Sequence, residues 1–259
     1  MVRIAAVGDI HLGTGSRGTL RPALETIGDH ADMLLLAGDL TRHGTVDEAR
    51  VVADEFADLP VPVVAVLGNH DYHDDRPQQI SEVLAASGVR TLEAQATVVD
   101  VAGCLVGIAG TKGFGGGFAG HALGAFGEPE LKAFAGRSAA CADGLAAALD
   151  ELKTAGCGLR IALMHYAPVP DTVAGESPEI YPFLGSYLLA QAIDASGADL
   201  AVHGHAHSGT ERGMTSGGVK VRNVAQPLIG RAYALFDLSV ENGQVPPTRH
   251  VAVKEPSRS

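Results

Sequence analysis

Five short apolar runs in this sequence each end in a small cluster of metal- or phosphate-capable side chains. RIAAV is followed by GDIHLG, MLLLA by GDLTRHG, VPVVAVL by GNHD, RIALM by HYAP and LAV by HGHAH. In chain order they offer Asp9 and His11, Asp39, Asn69 and His70, His165, then His205 and His207. The inventory is carboxylate, imidazole and carboxamide, with no thiolate. Such a mixed nitrogen and oxygen set suits Mn²⁺, Fe or Zn²⁺ better than Ca²⁺ or Mg²⁺, which prefer oxygen alone. Each residue taken singly has a structural alternative: Asp9 and Asp39 could cap a turn or helix, and Asn69 could occupy a left-handed turn. Those alternatives do not explain why histidine also stands at positions 11, 70, 165, 205 and 207, each at the entrance to a loop.

The elements that must position these residues read as buried strands emptying into loops. Between them lie amphipathic stretches predicted as helices over 45–58, 77–87, 129–153 and 181–196, punctuated by Gly or Pro. Alternating strand and helix implies an α/β architecture, in which ligands bind at the carboxyl ends of the strands. Toward the C-terminus VKVRNVA, YALFDLSV and RHVAVK read as short strands separated by turns, expected to pair antiparallel within a mixed sheet. GTKGFGGGFAG, residues 110–120, is too rich in glycine for a regular element and is expected to be a mobile loop, as a lid over substrate or a simple crossing.

Composition sets the outer bounds. The chain has 259 residues, 46% hydrophobic, enough for one large core, and nothing marks a linker, so a single domain over 1–259 is expected. A formal net charge of −11 and the absence of a Lys/Arg run disfavour binding to extended nucleic acid. Cys104, Cys141 and Cys157 form no close pair and no C-x-x-C, which argues against a disulfide framework or thiolate zinc site and fits a reduced, cytoplasmic setting. No apolar run is long enough to span a bilayer, so no membrane partner is expected.

The five clusters, in this order, resemble the calcineurin-like metallophosphoesterase family, whose pattern is D-x-H, G-D, G-N-H-[DE], H and G-H-x-H. Here these are Asp9-Ile10-His11, Gly38-Asp39, Gly68-Asn69-His70-Asp71, His165 and Gly204-His205-Ala206-His207. The resemblance implies a four-layer αββα sandwich of two mixed β-sheets flanked by helices. It implies two divalent transition-metal ions (Mn, Fe or Zn), one on Asp9, His11, Asp39 and His207, the other on Asn69, His165, His205 and the shared Asp39. A bridging carboxylate offsets repulsion between the two cations, and the pair acidifies the water between them. The implied activity is hydrolysis of a phosphate ester, preferably a small phosphodiester or nucleotide, by the metal-bridging hydroxide, with His70 as the catalytic residue that donates a proton to the leaving group or hydrogen-bonds to the phosphoryl group. Because the family sends His205 and His207 to different ions, the chain is expected to turn within GHAH, where Gly204 and Ala206 are small. His203 has no ligand role in the pattern and is expected to be a packed or supporting histidine.

Alternatives within the family are a phosphomonoesterase or a pyrophosphatase. Outside catalysis, the fold could serve as a binding or scaffold module, although such modules tend to lose the catalytic histidine and this sequence keeps it. A purely structural metal site is weaker still, because such sites are usually closed by four saturating ligands. One departure stands out: in the phosphoprotein phosphatase branch an Asp follows the second motif by three positions and orients the catalytic histidine, and here that position is Arg42. The orienting partner of His70 is therefore unidentified from sequence. Arg42, His43, Tyr72 and His73 lie close to ligand positions and are candidate substrate contacts, for a small phosphorylated partner, with solvated surface the alternative for each.

Overall fold

The fold is that of a computed structural model, which describes residues 1–239. The first half runs β1 (Val2–Val7), α1 (Arg21–Leu24), α2 (Ile27–His30), β2 (Met33–Ala37), α3 (Val46–Phe56), β3 (Val63–Val66), α4 (Pro77–Ala86), β4 (Val89–Thr91), β5 (Gln95–Val101) and β6 (Cys104–Thr111). It continues through β7 (Gly117–Phe118), β8 (His121–Ala122), α5 (Pro129–Thr154), β9 (Leu159–Met164), α6 (Tyr181–Leu184), α7 (Tyr187–Ser196) and β10 (Leu200–His203). The last elements are β11 (Arg212–Met214), β12 (Lys220–Asn223), α8 (Gln226–Ile229) and β13 (Ala234–Leu238).

Two mixed sheets result, ordered β13-β1-β2-β3-β4 and β11-β12-β10-β9-β6-β5, with β7 and β8 forming a separate ribbon. Strand alternation sorts side chains into layers. Ile4, Leu35, Val64 and Val66 of the first sheet meet Val106, Ile108, Ile161, Leu163 and Val202 of the second in a core between the sheets. The opposite face of the first sheet, through Ala5, Val7, Leu34 and Leu36, packs on Val52 and Phe56 of α3 and Ile80 and Leu84 of α4. The outer face of the second, through Ala109, Ala162, Met164 and Ala201, packs on Leu145, Leu149 and Leu152 of α5 and Leu189 and Ile193 of α7. Helix, sheet, sheet and helix are therefore stacked in four layers, as the resemblance implies. None of the described helices is long and apolar enough to cross a membrane.

Three sequence expectations are corrected. The helix read over 181–196 is two helices, because Gly185 passes so close to the Ala167 carbonyl that a Cβ there would collide with it. Ser186 then starts α7 afresh, its hydroxyl accepting from the Leu188 N–H. VKVRNVA and YALFDLSV each have the expected antiparallel partner in a mixed sheet but not each other: β12 is antiparallel to β11 and parallel to β10, whereas β13 is antiparallel to β1 in the other sheet. RHVAVK lies outside the described residues. The glycine-rich stretch is packed rather than exposed, buried or nearly so through Phe118. Its glycines serve close approach, since a Cβ on Gly115 would meet the Pro182 carbonyl and one on Gly116 the Ser138 and Ser186 hydroxyls.

Candidate metal centre

β1, β2 and β3 run parallel in one sheet, β9 and β10 in the other, and all five carry the candidate ligands just past their carboxyl ends. The site therefore straddles the rim between the two sheets. Main-chain hydrogen bonds tie the rim together: Asp9 N–H donates to Gly38 C=O, His11 N–H to Asp39 C=O and Gly204 N–H to His165 C=O. Asp9 reaches across to the second sheet, its carboxylate accepting the His205 N–H at 2.9 Å and the His207 Nε2–H at 2.9 Å.

Backbone strain is concentrated here. Eight described residues other than glycine have positive φ, and four of them are Asp9 (55°), His11 (42°), Asp39 (51°) and His205 (71°). A side chain in this left-handed region costs on the order of 1 kcal/mol each, a cost found where surrounding structure and function demand it. At His205 the strain makes the turn within GHAH: Ala206 N–H closes back on Gly204 C=O at 2.8 Å. The small neighbours have other reasons for being small. A Cβ on Gly204 would run into the Asp9 carboxylate, and Ala206 is buried in a small apolar cluster with Val173 and Leu184. Likewise a Cβ on Gly68 would run into the Asp39 carboxylate.

Three groups of ligand-type atoms converge, Asp9 with His11 and His207, His11 with Asp39 and His70, and Asp39 with His165 and His205, each within 4.8 Å. His11 links the first to the second, and the second and third share Asp39. Its Oδ2 faces His11 Nε2 at 3.8 Å and His70 Nε2 at 3.9 Å, while Oδ1 faces His165 Nε2 at 3.4 Å and accepts the His70 N–H at 2.8 Å. Asn69 joins the same side, its Oδ1 2.9 Å from His165 Nε2.

The imidazoles are held in definite tautomers. His165 is fully buried and donates Nδ1–H to Ala37 C=O at 2.9 Å, so its Nε2 presents a lone pair toward the Asn69 and Asp39 oxygens. A lone pair facing two acceptor oxygens has no attractive partner among them, and a cation is what such a cluster lacks. His205 donates Nε2–H to Phe183 C=O at 3.1 Å. Burial holds His11 down to about 4 and His205 to about 3, so both rings are neutral and ligand-competent at neutral pH. Burial together with Asp9 pushes the Asp39 carboxyl up against the pull of His165. At Asp9 burial acts in the same direction but is outweighed, chiefly by the His207 hydrogen bond, and its pKa is lowered. The donor chemistry and the converging lone pairs fit a pair of divalent transition-metal ions.

Residues 2–209 match the model of the calcineurin-like phosphoesterases. The chain belongs to that family. No curated protein matches it. Solved structures of similar fold include phosphopantetheinyl hydrolase from Mycobacterium tuberculosis, at 21% identity and a TM-score of 0.61, covering 86% of this chain and 88% of that one. TT1561 of Thermus thermophilus is 19% identical, with a TM-score of 0.60 over 95% of this chain and 97% of that one. A putative 5′-nucleotidase from Staphylococcus aureus is 15% identical, with a TM-score of 0.61 over 98% of this chain but 55% of its own.

His70 has an orienting partner that no side-chain motif could show: its Nδ1–H donates to the main-chain carbonyl of Arg42 at 2.7 Å. The position where a related branch carries an aspartate thus supplies a backbone oxygen instead. The Arg42 side chain is exposed and approaches Gly13. His43 is turned to α3, its Nδ1 2.9 Å from Glu48 Oε1. Tyr72 is half-buried beside Lys112, and His73 is exposed. His203 is fully buried, donating Nδ1–H to Gly204 C=O and accepting at Nε2 from the Thr172 hydroxyl, a packed supporting residue.

Two supporting residues have no role in the sequence reading. Asp71, fully buried, accepts from the N–H groups of Leu40, Thr41 and Gly68 and from the Thr41 hydroxyl, clamping the loops that follow β2 and β3. Its place in GNHD was the available signal. Asn223 donates Nδ2–H to Ala206 C=O at 2.7 Å and so supports the GHAH turn, with no sequence signal. The three cysteines are unpaired.

Proposed function

We propose that this phosphoesterase is a dinuclear metal-dependent phosphohydrolase acting on a small phosphate ester, a phosphodiester or nucleotide in preference, with phosphomonoesters and pyrophosphates as the alternatives. The observation that carries the reading is the placement of Asp39, whose two carboxylate oxygens face different donor groups. Asp9, His11, Asp39 and His207 would hold one ion, and Asp39, Asn69, His165 and His205 the other. Ions held there supply Lewis-acid polarisation of the phosphoryl oxygens and an acidified water as nucleophile. Mn, Fe and Zn all suit the donor set.

The chain's own contribution is positioning and proton handling. Ala37, Phe183 and Arg42 carbonyls fix His165, His205 and His70 in the tautomers described. With Nδ1–H committed to Arg42 C=O, Nε2 is the atom through which His70 exchanges a proton. It faces the Asp39 side of the site on a side chain 46% exposed, where a leaving oxygen can reach it. The retention of His70 beside the complete ligand set favours turnover over a scaffold role. The names phosphopantetheinyl hydrolase and 5′-nucleotidase among proteins of similar fold agree with a small phosphorylated substrate.

The test is metal content by equilibrium dialysis against Mn²⁺, followed by a panel of aryl monoesters, aryl diesters and cyclic nucleotides. Two ions per chain, lost together in Asp39→Ala with all activity, are expected. Two tightly held ions in Asp39→Ala would remove the assignment.

A further inference from the structure

Outside the ligand set, the buried ammonium of Lys112 has no ion-pair partner among the described residues. Lys112 follows β6 and is 6% exposed, yet among the described residues its ammonium makes a single hydrogen bond, to the carbonyl of its own neighbour Gly113 at 3.2 Å. The Glu93 carboxylate directs its oxygens elsewhere, to the Thr111 hydroxyl and the Lys112 main-chain N–H. Three aromatic rings face the ammonium instead, Tyr72 at 5.1 Å, Phe114 at 5.0 Å and Tyr166 at 5.0 Å from their centroids. Ring faces stabilise a cation but accept few of its hydrogens, so two of its three donors are unsatisfied by side chains or main chain among the described residues. Burial lowers the Lys112 pKa, as expected for a charge kept without a carboxylate.

The cage is built onto the metal site. Tyr166 directly follows His165, and its ring lies 4.4 Å from that of His205. Tyr72 is two residues past His70. The Lys112 carbonyl accepts both the His165 and the Tyr166 N–H at 3.1 Å, so the strand end that carries the ammonium also fixes the loop presenting His165. The Tyr166 ring thus borders both the ammonium, 5.0 Å from its centroid, and the His205 imidazole, 4.4 Å from it.

We propose that Lys112, framed by Tyr72 and Tyr166, is a subsite for a second phosphate adjacent to the scissile one, so that among the nucleotides the site takes, diphosphates are preferred to monophosphates. The inference rests on the phosphohydrolase reading and deepens it. A neighbouring phosphate would supply the acceptor oxygens that the cage withholds, and the aromatic walls would exclude water from the contact.

The test is calorimetric titration of methylphosphonate and of non-hydrolysable methylenediphosphonate into Mn²⁺-loaded protein, which reads binding whether or not the protein turns over. Wild type should bind the diphosphonate the more tightly. Lys112→Met should weaken the diphosphonate by about 10- to 100-fold, the scale of one charge-assisted hydrogen bond, while methylphosphonate changes less than about threefold. Lys112→Arg, which keeps the charge, should retain much of the preference. Chelation of the ions by the diphosphonate is common to all three proteins and cancels in the comparison. Equal weakening of both ligands, or no change in either, overturns the subsite. Should Lys112→Met fail to fold, ¹³Cε-lysine labelling of wild type decides, since the chain has only five lysines. The resonance absent from Lys112→Arg must then shift with the diphosphonate and not with methylphosphonate, and an unmoved resonance refutes the contact. Absence of Mn²⁺ uptake by wild type would instead sink the metal reading, and the titration repeated without Mn²⁺ then reads the Lys112 contact alone.

Discussion

Replacing Asp71 by Ala removes a residue that touches no candidate metal position and should nonetheless disable the site. Its carboxylate is fully buried and is the acceptor for three main-chain N–H groups, of Leu40, Thr41 and Gly68, and for the Thr41 hydroxyl at 2.6 Å. Alanine leaves those three N–H groups in a space too enclosed for free solvation. Each orphaned donor costs about 1–3 kcal/mol. Part is offset, because burial and the neighbouring Asp39 charge push the Asp71 pKa up, and the native state is relieved of that penalty. A net loss of about 3–5 kcal/mol follows, the range seen when a buried charged contact is broken. For a chain of this size that lowers Tm by about 6–20 °C. Asp71→Asn keeps the volume and one acceptor oxygen and should fall between. Mn²⁺ affinity should drop with stability, because the clamp sets the Asp39 loop against Asn69 and His70. Differential scanning calorimetry of apo protein, with dialysis against Mn²⁺, measures both. A Tm for Asp71→Ala within about 2 °C of wild type together with undiminished metal binding would refute the clamp.

Three further outcomes are expected. His70→Ala should keep both ions but lower kcat by about 10²–10⁴-fold on substrates with poor leaving groups, and unchanged turnover on them argues against the acid role. Gly68→Ala forces a Cβ into the Asp39 carboxylate and should cost metal binding, whereas Gly15→Ala, with open space around it, should leave dialysis and melting unchanged; matching behaviour of the two would contradict the close-approach argument. At Asp32 partial burial is outweighed by three hydrogen bonds from Arg3, which hold its pKa below the ordinary value. A lowered native pKa adds stability above the unfolded carboxylate's pKa and loses it as pH falls through the native one. Asp32→Asn should therefore destabilise by up to about 1 kcal/mol at neutral pH, modest because the pair is solvent-screened, and the difference in urea midpoint should vanish in acid; a constant difference at all pH values would exclude the charge as its source.

Strand positions and the helices over 46–56, 77–86 and 129–154 follow closely from apolar periodicity and caps, because those signals are local. Residues 185–186 and 110–118 do not, because glycine there answers to a distant backbone: Gly185 to Ala167, Gly115 to Pro182. The pairing of β12 with β10, and of β13 with β1, is hidden for the same reason, since a short strand's partner is set by which edge remains open.

The site divides along the same line. Sequence by itself determined the donor types, their order and their location just past strand ends, because side-chain chemistry and strand periodicity are written in residue identity. Tertiary structure alone decided that Asp39 lies between two donor groups, that His70 is held by the Arg42 main-chain carbonyl, that Asp71 is a clamp, and that Tyr72, Lys112, Phe114 and Tyr166 close into a cage. A carbonyl oxygen is the same at every residue, and convergence of segments far apart in the chain depends on how two sheets pack, so neither leaves a mark in a local stretch of sequence.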